Sequence, residues 1–313
     1  MKGKKCLLTG GAGFIGSHVV DNLKARGIDQ LLVIDNLSSG SKANLTNGVE
    51  LFEIDIRDNA ARDALKKFEP DAIIHLAAQI SVRKSMEDPR FDLDVNVSGL
   101  VNLLQATLEL PQKPHFIFIS TGGAIYGEQN FFPATEDHPT NPASAYGLAK
   151  RVGEMYLDLW SKEYGLQYCS LRLSNVYGPR QSPHGEAGVV AIFCKRLLNG
   201  QPLIVNGDGL QTRDYVYALD VANAVGEVVE KEIRGIYNIG TGIEHTVLDI
   251  ITELKKSSTR AEKVIVEHAP PKPGEQKRSV ISYNRAKEAF GWEPTVGFEK
   301  GIQETLAWFS KEK

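Results

Sequence analysis

The most constraining feature of the chain is a glycine-spaced segment that directly follows its first apolar strand. Residues 5–9 have the composition of a short buried strand, and Gly10, Gly13 and Gly16 follow it before helical sequence begins. A strand that turns on glycines into a helix lets the main chain approach a diphosphate, whose charge the helix N-terminus stabilises. The first gap is one residue wider than in the usual dinucleotide fingerprint. For the glycines alone, a tight turn packed against a sheet therefore stays an alternative.

A carboxylate stands where a dinucleotide site needs one. Residues 30–34 predict a second buried strand, which ends in Asp35. An acidic residue about 20 positions beyond the glycines accepts hydrogen bonds from a ribose diol and repels the 2′-phosphate of NADP. The pairing of Asp35 with the glycine segment predicts a bound dinucleotide, and it favours NAD.

Strands and helices alternate through the first half of the chain. Continuous apolar strands are predicted over 50–54, 72–76 and 115–119, and helices over 59–68 and 94–110. This alternation predicts an α/β fold of the Rossmann type, a doubly wound parallel sheet with helices on both faces. Ligands in such sheets bind beyond the carboxyl ends of the strands, so the residues that follow each strand are expected to converge.

The second half of the chain has a different composition. From about Arg172 onward, glycine and proline interrupt the pattern, which is typical of a smaller, loop-rich α/β lobe that closes over a cleft. We therefore predict an NAD-binding domain over residues 1–171 and a substrate lobe over residues 172–313. Residues 236–240 resemble one more buried strand, so a segment of about 214–242 is expected to return to the first domain.

The charge and cysteine content exclude several classes of protein. The formal net charge of −3 gives no electrostatic basis for binding nucleic acid or a membrane surface. No apolar run approaches the roughly 18–20 residues of a membrane span, and no secretory signal is evident. Cys6, Cys169 and Cys194 are odd in number and far apart, which favours reduced thiols over disulfides. Since the histidines also lack ligand spacing, we predict a cytoplasmic protein without a metal site.

The candidate chemistry lies in a tyrosine and a lysine four residues apart. Tyr146 and Lys150 belong to predicted helical sequence, where this spacing puts both side chains on one face. A free phenol has a pKa of about 10 and is a poor base at neutral pH. A nearby ammonium, together with the positive ring of an oxidised nicotinamide, would stabilise the phenolate and make Tyr146 a proton acceptor.

Ordered motifs along nearly the whole chain resemble one enzyme family. They read TGGAGFIGSH, DNLSSG, HLAAQISVRKS, ISTGGAIYG, YGLAK, RLSNVYGPRQ, GDGLQTRDYVY and YNIGTG. By these motifs, the chain resembles the extended short-chain dehydrogenases/reductases, and within them the branch that acts on nucleotide sugars. Within that branch it is most similar to bacterial and archaeal UDP-glucose 4-epimerases, and the resemblance implies NAD as the cofactor and a UDP-sugar as the substrate.

The resemblance also implies roles for individual residues, and the catalytic set it implies is Thr121, Tyr146 and Lys150. Residues implied to hold the dinucleotide are Gly10, Gly13, Phe14, Ile15, Gly16, Asp35, Asn36, Ser38, Gly40, Asp55, Ile56, Leu76, Ala77, Ala78, Asn96 and Ser120, with Tyr146 and Lys150. Residues implied to hold the sugar nucleotide are Asn175 and Arg213 on the diphosphate, Val189, Val190, Phe193, Leu203 and Val205 around the uridine, and Glu275 on its ribose.

The chain departs from the family pattern beside the candidate hydroxyl. Many members carry Ser or Thr four residues before the tyrosine of the ISTGGAIYG motif, where this chain has Gly122. We interpret the difference as a one-residue insertion, so that Thr121 supplies the hydroxyl and Ser120 is the alternative. Leu173 and Ser174 occupy positions where relatives often carry an aromatic pair, so packing near the nicotinamide is expected to differ.

Missing acid–base groups narrow the reaction. Related dehydratases place an Asp-Glu pair after the threonine and related decarboxylases a glutamate, whereas this chain has Gly122, Gly123 and Ala124. A 4-keto intermediate could then only be reduced again, which predicts epimerisation at C4 of a UDP-hexose. The alternatives are a UDP-glucuronate 4-epimerase and a catalytically silent protein that binds NAD and a UDP-sugar.

Two finer expectations concern substrate range and assembly. Ser279 aligns with a family position that packs against the 2-substituent of the sugar, and its small side chain predicts tolerance of UDP-GlcNAc and UDP-GalNAc. The apolar faces of residues 94–110 and 146–160 are long enough for a helical seam between two copies, as in the homodimers usual for the family. Burial within one chain would explain the same faces.

Overall fold

The computed structural model describes residues 1–184, 188–258, 264–271 and 276–311. The strands are β1 Lys5–Thr9, β2 Gln30–Ile34, β3 Glu50–Phe52, β4 Ala72–His75, β5 His115–Thr121, β6 Tyr168–Leu173, β7 Asn175–Tyr177, β8 Leu203–Asn206, β9 Thr212–Tyr217, β10 Gly235–Ile239, β11 Glu244–Thr246 and β12 Val266–Ala269. The helices are α1 Phe14–Ala25, α2 Asn59–Phe68, α3 Val82–Glu87, α4 Pro89–Leu93, α5 Gly99–Thr107, α6 Gly122–Ile125, α7 Ala145–Tyr164, α8 Val189–Leu198, α9 Ala218–Lys231, α10 Val247–Ser257, α11 Asn284–Phe290 and α12 Phe298–Lys311.

The first sheet has seven strands in the order β10-β6-β5-β4-β1-β2-β3, and all its neighbouring strands are parallel. The chain order reverses between β1 and β4, so the first crossovers run to one side of β1 and the later ones to the other. In doubly wound sheets this reversal opens a crevice at the carboxyl ends of the strands. The predicted fold class is confirmed.

Alternating side chains of these strands pack into one apolar layer on each face of the sheet, and the two layers make up the first core. Cys6 and Leu8 of β1 pack with α1 and α9 on one face, while Leu7 packs with α2, α5 and α7 on the other. Because both faces are covered, β1 and β2 carry consecutive buried apolar side chains, as is typical of buried parallel strands.

Helix α7 has clear start and stop signals. The Ser144 side chain accepts a hydrogen bond from the backbone N–H of Gly147 at 3.1 Å, and the helix ends at Gly165 with a left-handed φ of 71°. A serine cap followed by a glycine stop fixes both ends of a helix. The cap also fixes where the first turn, which carries Tyr146, meets the sheet edge.

The remaining elements form a second core away from the first sheet. Helices α8, α10 and α12 pack with β8 and β9 around a cluster that includes Phe193, Leu203 and Ile250. Strands β11, β9 and β7 form a three-stranded sheet, and β12 pairs with β8. Between these parts, β10 lies beside β6 in the first sheet.

Several elements differ from their predicted extents. Strand β4 ends at His75 instead of residue 76, and β5 continues to Thr121 instead of ending at residue 119. The third strand ends at Phe52 instead of residue 54, because the Phe52 carbonyl accepts from the N–H of both Asp35 and Ile54 and the chain turns there. The long helix predicted over 94–110 begins with a π-helical turn, Asp94–Ser98, and continues as α5 to Thr107. The predicted boundary at residues 171 and 172 falls inside β6, and the division into two domains stays a prediction. No helix in the described ranges combines the length and apolar character needed to cross a membrane.

Candidate active site

A cavity of about 400 Å³ lies at the carboxyl edge of the first sheet. Most residues predicted to meet the dinucleotide line it, although they come from five strand ends and two helices. Those that line it are Gly10, Gly13, Phe14, Ile15, Gly16, Asp35, Asn36, Ser38, Asp55, Ile56, Leu76, Ala77, Ala78, Ser120, Tyr146 and Lys150, and the predicted catalytic residue Thr121 lines it as well. The structure thus brings together groups that are up to 140 residues apart in the chain (Gly10 and Lys150).

The glycine segment forms a cradle that side chains would fill. Gly10 has a left-handed φ of 72°, and a Cβ there would lie 2.6 Å from the backbone nitrogen of Ala77. A Cβ at Gly16 would collide with the carbonyl oxygen of Gly10. Helix α1 then starts without a side-chain cap and without an acidic residue in its first turn. Its first N–H groups therefore suit an anion such as a diphosphate.

The acidic residues at the strand ends are held in place by the backbone and by one arginine. Asp35 accepts from the N–H of Ala12 and of Leu37, both at 2.9 Å, which ties it to the glycine cradle. Asp55 accepts from the Arg57 guanidinium and from the amide of Asn36 at 2.9 Å. The hydrogen bonds from Arg57 lower the pKa of Asp55 to about 2, so this carboxylate is ionised at neutral pH.

Two predicted cofactor residues do not line the cavity. A Cβ at Gly40 would lie 2.9 Å from the carbonyl carbon and oxygen of Ala12, so Gly40 packs against the back of the cradle. Asn96 is buried, and its side-chain amide forms two hydrogen bonds with the backbone of Gln79. It accepts from the Gln79 N–H at 2.8 Å and donates to the Gln79 carbonyl at 2.9 Å. Both positions support the cavity wall from behind.

Tyr146 and Lys150 reach the cavity from α7. The Lys150 ammonium is 4% exposed, donates to the Ile119 carbonyl at 2.9 Å and lies 4.8 Å from the centroid of the Phe118 ring. These contacts fix the ammonium against β5, inside the cavity wall.

The chain's own groups oppose ionisation of the tyrosine. Burial raises the pKa of Tyr146, and the Asp92 carboxylate raises it further. Burial lowers the pKa of Lys150 to about 8, against the carboxylates of Asp92 and Glu154, which raise it. The expected acidification of the phenol by the lysine is therefore not provided by the protein charges alone, because both groups are desolvated.

Thr121 and Ser120 have different hydrogen bonding. Thr121 caps α6, and its oxygen accepts from the N–H of Ala124 at 3.2 Å, which leaves its proton available to donate. A Cβ at Gly122 would lie 2.7 Å from the Ile281 side chain, so a hydroxyl side chain has no room at that position. A Cβ at Gly123 would lie 3.9 Å from the Thr121 hydroxyl, so the glycines leave the threonine accessible.

Three buried polar atoms in the cavity wall have no hydrogen-bond partner among the described residues: Ser120 Oγ, Ser174 Oγ and Gln181 Oε1. Leaving such atoms unpaired costs about 1–3 kcal/mol each, whereas a polar ligand in the cavity can satisfy them. Together with the glycine cradle they fit a bound dinucleotide. Sequence reasoning missed Ser174 and Gln181 as site residues, since only burial and missing partners mark them.

Of the described residues predicted to hold the sugar nucleotide, one lines the cavity. Asn175 lines the cavity, and Arg213 lies on β9, where one guanidinium nitrogen donates to the Thr212 carbonyl at 2.8 Å. Ser279 is buried, and its carbonyl accepts from the Asp214 N–H at 2.9 Å. The apolar members, Val189, Val190, Phe193, Leu203 and Val205, pack in or against the second core instead of lining the cavity. Glu275 lies outside the described residues.

The wall beside Thr121 carries no acid or base from residues 122–124, which are glycine, glycine and alanine. In the described parts of the chain, no three His, Cys, Asp or Glu side chains are grouped as a metal site would require. The proton-transfer groups that face the cavity beside this wall are therefore those of Tyr146, Lys150 and the hydroxyl residues.

A Rossmann-type sheet with a glycine cradle, an acidic residue after β2 and a Tyr-Lys pair defines a dinucleotide-dependent enzyme. The model of the NAD dependent epimerase/dehydratase family matches residues 6–240. The chain therefore belongs to this family, and the predicted dependence on NAD is confirmed at the level of the family.

Individual relatives match nearly the whole chain. A UDP-glucose 4-epimerase of Mycolicibacterium smegmatis is 41% identical over 97% of this chain and 98% of its own. The crystal structure of a Thermotoga maritima UDP-glucose 4-epimerase with UDP-glucose is 43% identical, covers 98% of this chain and 99% of that one, and has a TM-score of 0.93. A Thermus thermophilus UDP-glucose 4-epimerase in complex with NAD is 44% identical with the same coverage and a TM-score of 0.91.

Proposed function

We propose that this protein interconverts UDP-glucose and UDP-galactose by NAD-dependent epimerisation at C4, through a transient 4-keto sugar. One observation carries the proposal: the Tyr146–Lys150 pair and the Thr121 hydroxyl share one cavity with the glycine cradle, while residues 122–124 add no further acid or base. Relatives that bear this activity in their names, at 41–44% identity over nearly full length, support it.

Different residues of the cavity would bind different parts of the cofactor. The cradle and the open N-terminus of α1 would bind the diphosphate, Asp35 the adenine ribose, and the wall around Asp55 the adenine. Ser120 and Ser174, whose side-chain oxygens are unpaired, line the same cavity as Tyr146. When bound there, NAD supplies the hydride acceptor and donor for the sugar C4.

Side chains of the protein carry out the proton transfer. Tyr146 accepts the proton of the sugar 4-hydroxyl and later returns it to the 4-oxygen. Lys150 stabilises the phenolate by its charge, and Thr121 donates a hydrogen bond to the same sugar oxygen. Asn175 and Arg213 would hold the sugar-nucleotide diphosphate, since amide and guanidinium donors match its oxygens.

The proposal is tested by incubating the purified protein with UDP-galactose and separating the products. We expect UDP-glucose to form, and we expect Tyr146→Phe to lower kcat by about 10²–10⁴-fold. Tyr156→Phe is the matched control, because Tyr156 lies on the same helix with its ring edge-on to Trp160, and it should keep the wild-type rate.

Parallel incubations decide between the alternatives. UDP-GlcNAc, UDP-GalNAc and UDP-glucuronate are offered under the same conditions as UDP-galactose. Conversion of UDP-glucuronate alone would replace the hexose proposal with a UDP-glucuronate 4-epimerase. No conversion of any of them by NAD-loaded protein would leave a binding protein without turnover. Conversion of the N-acetyl sugars would extend the substrate range, as proposed from Ser279.

We also propose that the protein is a homodimer. Leu148, Met155 and Leu159 recur on one stripe of α7 and are 54%, 56% and 46% exposed. Leu93, at the end of α4, is exposed as well. Aliphatic side chains exposed together on neighbouring helices favour association with a second copy. Light scattering after gel filtration should give twice the chain mass, and Met155→Glu with Leu159→Lys should give monomers; a monomeric wild type would contradict the proposal.

The state of the thiols supports a proposal for the cellular location. Cys6, Cys169 and Cys194 are all buried and unpaired, which supports a reducing compartment. We therefore propose a cytoplasmic enzyme of galactose metabolism.

A further inference from the structure

Asp92 is a buried carboxylate next to the catalytic pair that no motif singled out. It lies on α4, is 1% exposed, and one oxygen accepts from the side-chain amides of Gln79 at 2.8 Å and Asn96 at 3.0 Å. Its other oxygen, Oδ2, has no hydrogen-bond partner among the described residues. Both donors are uncharged, so an asparagine would form the same two hydrogen bonds.

A buried charge with only neutral partners is costly unless another charge compensates it. Helix α4 packs against α7, and the Asp92 charge raises the pKa of both Tyr146 and Lys150. Burial raises the pKa of Asp92, and the Lys150 ammonium opposes that increase, together with the amides of Gln79 and Asn96. The compensating charge of Asp92 is therefore the Lys150 ammonium.

The other groups around Lys150 do not take this role. His75 on β4 is fully enclosed, and burial lowers its pKa to about 3, so it is neutral. Glu154, one turn further along α7, is bound by the Arg172 guanidinium at 2.9 and 2.7 Å. Glu154 is thus already paired with a cation, and it raises the pKa of Lys150 less than Asp92 does. Asp92 is the carboxylate near Lys150 whose own donors are neutral.

We propose that Asp92 is a positioning residue that keeps Lys150 in its ammonium form, and so maintains the charge that stabilises the phenolate of Tyr146. The inference rests on the proposed function for its effect on turnover, but the charge state of Lys150 is measurable without turnover. The carboxylate has a cost, since it also disfavours the phenolate. The effect of Asp92 on Lys150 matters more than its effect on Tyr146, because a neutral Lys150 has no charge with which to stabilise the phenolate.

The direct test is the titration of Lys150 by NMR. The protein is labelled with ¹³C at lysine Cε, and the Lys150 signal is assigned by its loss in Lys150→Arg. We expect a midpoint near pH 8 in the wild type. In Asp92→Asn, which keeps both hydrogen bonds, we expect the midpoint to fall by about one unit or more. Glu163→Gln removes an exposed carboxylate from the same helix and should leave the midpoint unchanged.

The pH profile of kcat gives the second readout. In Asp92→Asn both limbs should move to lower pH, because the pKa values of Lys150 and Tyr146 fall together. A residue with a purely structural role would lower the rate at every pH without moving the limbs. Asp92→Glu restores the charge, so its limbs should stay at the wild-type positions even if the rate falls.

The outcomes separate the two proposals. An unchanged Lys150 midpoint in Asp92→Asn overturns the inference about Asp92, whatever the enzyme converts. Limbs that move in Asp92→Glu as they do in Asp92→Asn overturn it as well, because displacement of the side chain would then explain both. A wild-type protein without epimerase activity overturns the proposed function, while the NMR titration still reports the effect of Asp92 on Lys150. If Asp92→Asn does not fold, the Asp92→Glu titration decides, since an altered midpoint with the charge retained contradicts the inference.

Discussion

The buried ion pair between Glu154 and Arg172 allows the sharpest test of how the catalytic helix is held. Both side chains are almost completely enclosed, at 1% and 2% exposure. Glu154 accepts from two guanidinium nitrogens of Arg172 at 2.9 and 2.7 Å and from the Ser170 hydroxyl at 3.0 Å. Removing one partner of such a pair leaves the other charge buried and unmatched, at a cost of about 3–5 kcal/mol.

We expect Glu154→Leu and Arg172→Met each to lower the free energy of unfolding by about 3–5 kcal/mol. Replacing both partners removes both charges from the interior, so the double variant should recover to within about 2 kcal/mol of the wild type. Urea unfolding followed by tryptophan fluorescence measures the full cycle at one fixed protein concentration, because association would shift the transition. Single losses under about 1 kcal/mol, or two losses that simply add, would refute the argument.

Activity should not follow stability in the double variant. Arg172 also donates to the Tyr126 hydroxyl at 2.9 Å, and that hydroxyl donates to Asn238 at 2.7 Å. These bonds tie α7 and β6 to the end of α6, whose cap is Thr121. With the pair replaced by apolar groups, the hydroxyl and the phenol lose their common support. We expect kcat to stay well below the wild-type value although the free energy of unfolding recovers.

Three further substitutions test separate parts of the structure. Gly10→Ala puts a Cβ 2.6 Å from the Ala77 nitrogen and should abolish copurification of NAD, whereas Gly27→Ala, with similar φ and nothing within 4 Å, should retain it. Burial lowers the pKa of His115 to about 4, whereas the unfolded chain has a histidine pKa of about 6.5. The unfolded chain therefore binds the proton first as the pH decreases below about 6.5, and this lowers the free energy of unfolding by about 2 kcal/mol at pH 5. His115→Phe should therefore reduce the loss of unfolding free energy between pH 7 and pH 5 by that amount, measured by urea titration. Ser279→Tyr should remove conversion of UDP-GlcNAc and spare UDP-galactose in the product assay; equal loss of both would reject the role of that residue.

The cofactor half of the site could be predicted from sequence because its signals are local. The glycine cradle and Asp35 each follow a strand directly, and the parallel sheet brings strand ends to one edge without any knowledge of side-chain packing. Periodicity could not place the apolar residues named for the uridine. It marks Phe193 and Leu203 as buried, but only the packing of α8 and β8 shows that they lie in the second core.

The polar residues missed by sequence reasoning share one physical cause. Ser174 and Gln181 matter because their side-chain oxygens are buried without partners, and a missing partner is a property of the folded neighbourhood. Gly122 is the converse case. The motif there is interpreted as carrying a one-residue insertion, and the structure adds that Ile281 occupies the space that a side chain at Gly122 would need.

The electrostatics of the catalytic pair show most clearly what spacing leaves out. The spacing of Tyr146 and Lys150 predicts that the lysine ammonium lowers the pKa of the phenol. Burial, however, disfavours both the phenolate and the ammonium. The carboxylate that decides the charge of Lys150 comes from α4, and the guanidinium that neutralises Glu154 comes from β6. A positive charge supplied next to Tyr146 by an oxidised nicotinamide would then favour the phenolate only when the cofactor can accept a hydride. With NAD bound there, the same burial that disfavours the phenolate in the protein alone would couple proton transfer by Tyr146 to the redox state of the cofactor.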